Sequence, residues 1–156
     1  MNIIGAATSA GAYSPGQEQA PAAFRRHGLA EALASRGRTI RDHGDVASFR
    51  WRPDPSQPQA MNLEAVRHAC DVVASHVATA IAAQEDVLVL GGDCTVELGT
   101  VAGANAAGAR IAFALKQLTA LPQWRGLTIT EINPAHAPDE SAAFARLNEV
   151  LADALG

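Results

Sequence analysis

A short stretch near the middle of the chain constrains the fold more than any other feature. Residues 87–90 are four consecutive apolar residues, which is typical of a buried strand. Gly91 and Gly92 then allow a tight turn, and a helical pattern of apolar residues begins just beyond them. A buried strand that turns directly into a helix indicates a parallel α/β unit. Because ligands bind at the carboxyl ends of such strands, Asp93 and Cys94 lie where a site is expected.

Strand and helix patterns alternate along the rest of the chain. The predicted strands are 2–7, 39–42, 86–90 and 127–132. The predicted helices are 21–35, 62–83, 95–105, 113–121 and 140–155. Residues 43–46 are predicted to form the turn after the second strand, and the proline-rich residues 50–60 a loop. This alternation predicts one α/β domain over residues 1–156, a parallel sheet with helices on both faces.

The composition argues against several classes of function. The net charge of −4 comes with no basic stripe, so no nucleic-acid partner is expected. No apolar run approaches the length of a membrane span, and no Lys or Arg precedes Arg25 to form the basic start of a signal peptide. Cys70 and Cys94 are too few for a disulfide scaffold. We therefore expect a cytoplasmic protein without a membrane partner.

Residues 91–95, Gly-Gly-Asp-Cys-Thr, resemble the Gly-Gly-Asp-His-Ser signature of the ureohydrolase family, which includes arginases, agmatinases and formiminoglutamases. The glycine-bearing loop before Pro21, residues 42–46 and residues 99–103 come in the order of that family. Residues 127–134 resemble the C-terminal part of its members. The resemblance implies hydrolysis of the C–N bonds of small guanidino compounds by a hydroxide that bridges two metal ions, with manganese as the cofactor.

The same resemblance indicates two candidate site residues, Cys94 and Glu131, and the position of His136 at the same sheet edge adds a third. Cys94 takes the position of a histidine that ligates one of the two metals in the family; the alternative is a small residue packed at a tight turn. Glu131 matches a glutamate that pairs with the guanidinium or amine of the substrate, or it is a solvated edge carboxylate. His136 follows in the next loop and is either a further ligand or a surface residue. Asp93 is expected to accept hydrogen bonds from the N–H groups of its turn.

The chain lacks the two motifs that hold most of the metal ligands in the family, Asp-Ala-His-x-Asp and Ser-x-Asp-x-Asp-x-x-Asp-Pro. A strand pattern at 109–112 changes abruptly to a helical pattern, as an internal deletion with its seam near 112–113 would leave. In the family the last strand of the sheet lies beside the third. The resemblance therefore implies a three-layer α/β sandwich with about four parallel strands in the order 2-1-3-4.

Two functions remain open on this basis. One is a metal-dependent hydrolase of the ureohydrolase family that lacks full activity as an isolated chain. The other is a non-catalytic remnant of the family or a small interaction module. In either case residues 127–132 would form an edge strand with unpaired backbone groups, so a homo-oligomer is expected.

Overall fold

The described part of the chain forms a parallel sheet with helices on both faces. A computed structural model describes residues 1–107, 126–130, 132, 134 and 139–155. The strands, in the spatial order β2-β1-β3-β4, are β1 (Asn2–Thr8), β2 (Arg41–Phe49), β3 (Val87–Gly91) and β4 (Gly126–Ile129). The helices are α1 (Ala20–Arg26), α2 (Leu29–Ala34), α3 (Leu63–Ala82), α4 (Val96–Ala106) and α5 (Glu140–Leu155). The predicted strand order 2-1-3-4 is confirmed.

The two central strands are buried along their whole length. Every residue of β1 and of β3 is buried, which explains why both appear in the sequence as continuous apolar or small-residue runs. On one face of the sheet the core side chains include Ile3, Leu88 and Leu90, packed with residues of α1, α2 and α5. On the other face Ile4 and Val89 pack with residues of α3 and α4. The three layers therefore share two apolar cores, one on each side of the sheet.

Strand β4 closes the described sheet on one side. It pairs with β3 in parallel, from Val87 opposite Gly126 to Leu90 opposite Ile129, and no other described strand pairs with it. This is the pairing that the family resemblance implies for residues 127–132, although the strand ends at Ile129. Leu127 and Ile129 pack against the core that α5 covers. The predicted helix 113–121 and the seam near 112–113 lie outside the described residues.

The prediction of a turn at residues 43–46 is wrong, because these residues continue β2. Ile3 lies opposite Asp42, Gly5 opposite Asp45 and Ala6 opposite Ala47, so β2 holds two extra residues over this stretch. Such β-bulges use the residue types that also favour turns. Gly44 has a φ of +72°, a conformation that favours glycine.

The predicted helix 21–35 is divided into α1 and α2. Gly28 stands between them with a φ of +80°, in the left-handed region, so a single straight helix cannot pass through it. The apolar positions on both sides still face the same core, through Phe24 before the break and Leu29 and Leu33 after it. The apolar spacing therefore continues through Gly28, although the helix itself is interrupted there.

Close packing between the ends of β1 and β3 makes Gly92 sensitive to substitution. A Cβ atom at Gly92 would lie 1.7 Å from the carbonyl oxygen of Thr8. We expect Gly92→Ala to lower the free energy of unfolding by about 3 kcal/mol, measured by urea denaturation, because the two backbones must move apart. Gly37→Ala is the control, since its Cβ would meet no atom within 4 Å and only the φ of +86° is unfavourable. A loss of about 1 kcal/mol is expected there, and equal losses in both variants would contradict this account.

Candidate functional site

The loops that follow β1 and β3 meet at the carboxyl edge of the sheet, and Asp93 joins them. Its side chain is buried, with 1% of the residue exposed. One carboxylate oxygen accepts a hydrogen bond from the N–H of Gly11 at 3.1 Å. The other accepts from the N–H of Thr95 at 3.0 Å and also from the Thr95 hydroxyl. Both oxygens of Asp93 are therefore committed to the two loops, as the sequence predicts for an acceptor of turn N–H groups.

Further hydrogen bonds connect this edge to the segment after β2. The N–H of Trp51 donates to the hydroxyl of Ser9 at 2.8 Å. The side-chain amide of Asn62, just before α3, donates to the carbonyls of Ala10 and Arg52. Together with the hydrogen bonds of Asp93, these contacts hold the loops after β1, β2 and β3 in one arrangement at the edge where a ligand is expected. The bonds from Trp51 to Ser9 and from Asn62 to Ala10 join residues 42 and 52 positions apart, which no local sequence pattern could show.

Cys94 lies at this edge, where the sequence places it. It follows Asp93 directly, precedes the first turn of α4, and its thiol is exposed to solvent. Within the described ranges, no group of three or more His, Cys, Asp or Glu side chains lies close enough to hold a metal ion. Glu131 and His136, the other two candidates, lie outside the described residues. The assignment of Cys94 as a ligand therefore stays a prediction.

Glu18 is a carboxylate at the same edge that sequence analysis missed. Only 11% of its side chain is exposed, and it pairs with the guanidinium of Arg50. Partial burial acts to raise the pKa of Glu18, but hydrogen bonds from the Gly16 N–H and from Ser9, together with the charge of Arg50, outweigh burial and lower it. The contact ties the loop after β1 to the end of β2. The sequence gives no signal for it, because Glu18 and Arg50 belong to separate elements.

A second group of charges was also missed, and it connects α1 with the bulged strand β2. The guanidinium of Arg25 binds both carboxylate oxygens of Asp42, at 2.8 and 3.0 Å, and one oxygen of Asp45, at 2.6 Å. Partial burial acts to raise the pKa of Asp42, but the hydrogen bonds from Arg25 and from the Gly44 N–H outweigh it and lower the pKa. The bulge brings both aspartates to one side of β2, so a strict alternation of residues could not have predicted this cluster.

None of the described helices is long and apolar enough to cross a membrane.

Comparisons with known proteins show which family this chain is similar to. A model of the arginase family matches residues 1–114. Arginase-1 of Mus musculus is 36% identical over 103 residues, which are 66% of this chain and 32% of the mouse protein. The arginase of Brevibacillus brevis is 32% identical over 103 residues, which are 66% of this chain and 35% of that protein.

Solved structures show the same likeness in three dimensions. The crystal structure of arginase from Bacillus subtilis matches with a TM-score of 0.57 and 30% identity, covering 68% of this chain and 34% of that one. Arginase of Entamoeba histolytica, crystallised with L-ornithine, matches with a TM-score of 0.60, covering 68% and 36%. At 20% identity the second match shows the fold alone.

The sheet order and the Gly-Gly-Asp-Cys-Thr loop define a ureohydrolase-type α/β protein. The chain belongs to the arginase family. It spans about a third of the length of the curated relatives it matches.

The lowered pKa values predict a loss of stability in acid. A carboxyl whose pKa is lower in the folded state stabilises the fold above its unfolded pKa, about 4, and this contribution disappears as pH falls through the lower folded value. We expect the free energy of unfolding, measured by urea denaturation, to fall between about pH 4 and pH 2. Asp42→Asn should weaken the fold at pH 7 and make the decline shallower, because one of the contributing carboxyls is gone.

The matched control is Glu149→Gln, on an exposed position of α5. It should leave both the stability at pH 7 and the acid slope close to those of the unsubstituted chain. If Asp42→Asn and Glu149→Gln gave the same acid profile, the Arg25 cluster would not be a source of acid sensitivity.

Proposed function

We propose that this chain is a catalytically incomplete protein of the arginase family, whose hydrolase chemistry on guanidino compounds requires ligands that the chain does not itself supply. The observation that carries the proposal is the state of the carboxyl edge. The position of the family's metal-ligating histidine is taken by Cys94, and the adjacent carboxylate of Asp93 already has hydrogen bonds to both of its oxygens. The two sequence motifs that hold most other ligands in the family are missing.

A pair of manganese ions does not fit the residues described at this edge. Manganese prefers carboxylate and imidazole ligands, and lowering the pKa of a bound water requires several of them around the ion. Cys94 supplies one thiol, and both carboxylate oxygens of Asp93 already accept hydrogen bonds from the loops after β1 and β3. We therefore derive no catalytic step through a metal pair. A single weakly held ion, with Cys94 as its ligand and His136 as a possible neighbour, is the most that we assign to this edge.

The resemblance to the family also suggests where a substrate would bind. We assign Glu131 to the guanidinium or amine group of a guanidino compound, because a carboxylate just beyond a parallel strand suits that group. The strand before it, β4, lies beside β3, so its carboxyl end is next to the Cys94 loop. This neighbourhood supports the assignment of Glu131.

We further propose that residues 1–156 form one ureohydrolase-like domain with an internal deletion near 112–113. The family match ends at residue 114, next to the proposed seam. The pairing of β3 with β4 supports the same arrangement, since the last strand of the family sheet is expected beside the third. The deletion would remove the strands between them and the ligands those strands carry.

The second candidate function is a non-catalytic remnant or interaction module that associates with itself. β4 pairs with β3 on one side and with no other described strand. An edge strand offers backbone donors and acceptors to a second copy of the chain. Cytoplasmic location is part of the same proposal, on the sequence argument alone.

Metal binding and urea release test the first candidate. We expect no urea from arginine or agmatine in the presence of Mn²⁺, and at most one weakly bound ion per chain in calorimetry, lost in Cys94→Ser. Cys70→Ser is the matched control, because Cys70 lies on α3 with its thiol directed to the carbonyl of Thr95. Two tightly bound ions, or urea release abolished by Cys94→Ser, would contradict the proposal.

For the second candidate, sedimentation velocity should show association that increases with concentration. A monomer at every concentration would argue against it.

A further inference from the structure

Two histidines face each other at the end of the sheet opposite to Cys94. His43 comes from β2 and His76 from α3, and the centres of their rings are 6.1 Å apart with the ring planes at 69°. Both line an open cavity of about 390 Å³ at the amino ends of β1 and β2. The pair exists because residue 43 belongs to a strand rather than to a turn, so its side chain meets α3. Neither histidine shows metal-ligand spacing in the sequence.

The hydrogen bonds of Asn2 determine which nitrogen of His43 is available. The side-chain N–H₂ of Asn2 donates to a carboxylate oxygen of Glu85 at 2.8 Å and to the carbonyl of Asp86. The oxygen of the same amide lies 2.7 Å from Nε2 of His43 and must therefore accept its hydrogen. In the neutral ring Nε2 then carries the proton, and Nδ1 has a lone pair. Histidines that bind metals are oriented in this way, with the second nitrogen donating to a fixed oxygen.

Charges of both signs surround the two histidines. His76 lies in the last two turns of α3, which ends at Ala82, and the carbonyl end of a helix carries partial negative charge. The carboxylate of Glu85 is part of the same cavity wall. Arg41 approaches Glu85 to 3.5 Å, and the N-terminal ammonium also acts on this carboxylate, so the negative charge of Glu85 is partly offset. The hydroxyls of Ser75 and Thr79 complete the polar lining.

We propose that His43 and His76 form a site for one divalent transition-metal ion, such as Zn²⁺, Ni²⁺ or Cu²⁺, with water as the remaining ligands. Imidazole suits these ions, whereas Mn²⁺ prefers carboxylates, so the site differs in chemistry as well as in place from the family edge. With metal–nitrogen bonds of about 2.0 Å, two imidazoles on one ion have their ring centres about 5 to 6 Å apart. The observed 6.1 Å lies just above that range. The proposal therefore requires the two rings to turn so that one nitrogen of each faces a common ion, while Nε2 of His43 keeps its contact with Asn2.

Two protein ligands define an open site. Because the remaining positions belong to water, the ion exchanges with solvent and can accept a further ligand from outside the chain. The described residues contain no third His, Cys, Asp or Glu close enough to enclose it. The site therefore binds, reversibly, an ion that prefers imidazole ligands.

Calorimetric titration with Ni²⁺ tests the proposal on the full chain carrying Cys94→Ser, so that the exposed thiol does not compete. We expect one ion per chain, and a loss of affinity of about tenfold or more in both His43→Ala and His76→Ala. His68→Ala is the matched control, an exposed histidine of the same helix α3 that does not line the cavity, and it should bind as before. Unchanged binding in the His43 and His76 variants, or no binding at millimolar Ni²⁺, would overturn the proposal.

A second measurement needs no substitution at either histidine. In imidazole ¹⁵N spectra, addition of Zn²⁺ should shift Nδ1 of His43 and one nitrogen of His76, while Nε2 of His43 keeps its proton. Shifts confined to other histidines would overturn the proposal, and loss of the Nε2 proton would overturn the assignment of Nδ1 as the ligand atom of His43. Because this measurement uses neither alanine variant, it tests the proposal even if one of those variants fails to fold.

Discussion

The structure depends on the close parallel pairing of β1 with β3, the two fully buried strands. Their register runs from Asn2 opposite Val87 to Ala6 opposite Gly91, and the backbones remain in contact beyond it. The N–H of Asp93 donates to the carbonyl of Thr8 at 3.0 Å, which leaves no room for a side chain at Gly92. The turn after β3 is thereby fixed against the loop after β1. This contact fixes the backbone at Asp93 and thereby the position of Cys94, the next residue.

A sheet of four strands is sufficient here because helices cover both of its faces. Parallel strands need burial on both sides, and the two apolar cores provide it for β1 and β3. The last helix, α5, contributes Phe144, Leu151 and Leu155 to one core. Its polar residues reach back to the first half of the chain, where Glu140 pairs with Arg26 and Asp153 with Arg36. The C-terminal helix is therefore attached to the N-terminal helices by ion pairs and to the sheet through the apolar core.

The parts of this fold that the sequence predicts are those specified by local patterns. Continuous apolar runs predict β1 and β3, and apolar spacing predicts α3, α4 and α5, each within one or two residues of the structure. The strand order came from resemblance to a family, because periodicity does not specify which strands are neighbours. The bulges of β2 are set by its register with β1, so residues 43–46 could be mistaken for a turn. The partners of Asp93, Arg25 and Glu18 are far away in sequence and had no local signal.

The proposed function rests on a difference between the backbone of the chain and its set of metal-ligand motifs. The backbone at the carboxyl edge is that of the arginase family, with its loops held by Asp93, whereas most of the family's ligand motifs are missing from the sequence. If the chain carries the proposed internal deletion, β4 must complete the sheet beside β3 for the fold to persist without the metal pair. The two histidines at the opposite end belong to β2 and α3, which lie within the part that matches the family.

Hydrogen exchange of backbone amides tests that requirement most directly. If β4 is a true member of the sheet, those amides of residues 127–129 that bond to β3 should exchange far more slowly than the amides of the loop at 54–60, with the metal-free chain at neutral pH. The account predicts that this protection is lost together with that of β1 and β3 as denaturant is added. It would be contradicted if the amides of β4 exchanged as fast as those of the loop while β1 and β3 stayed protected.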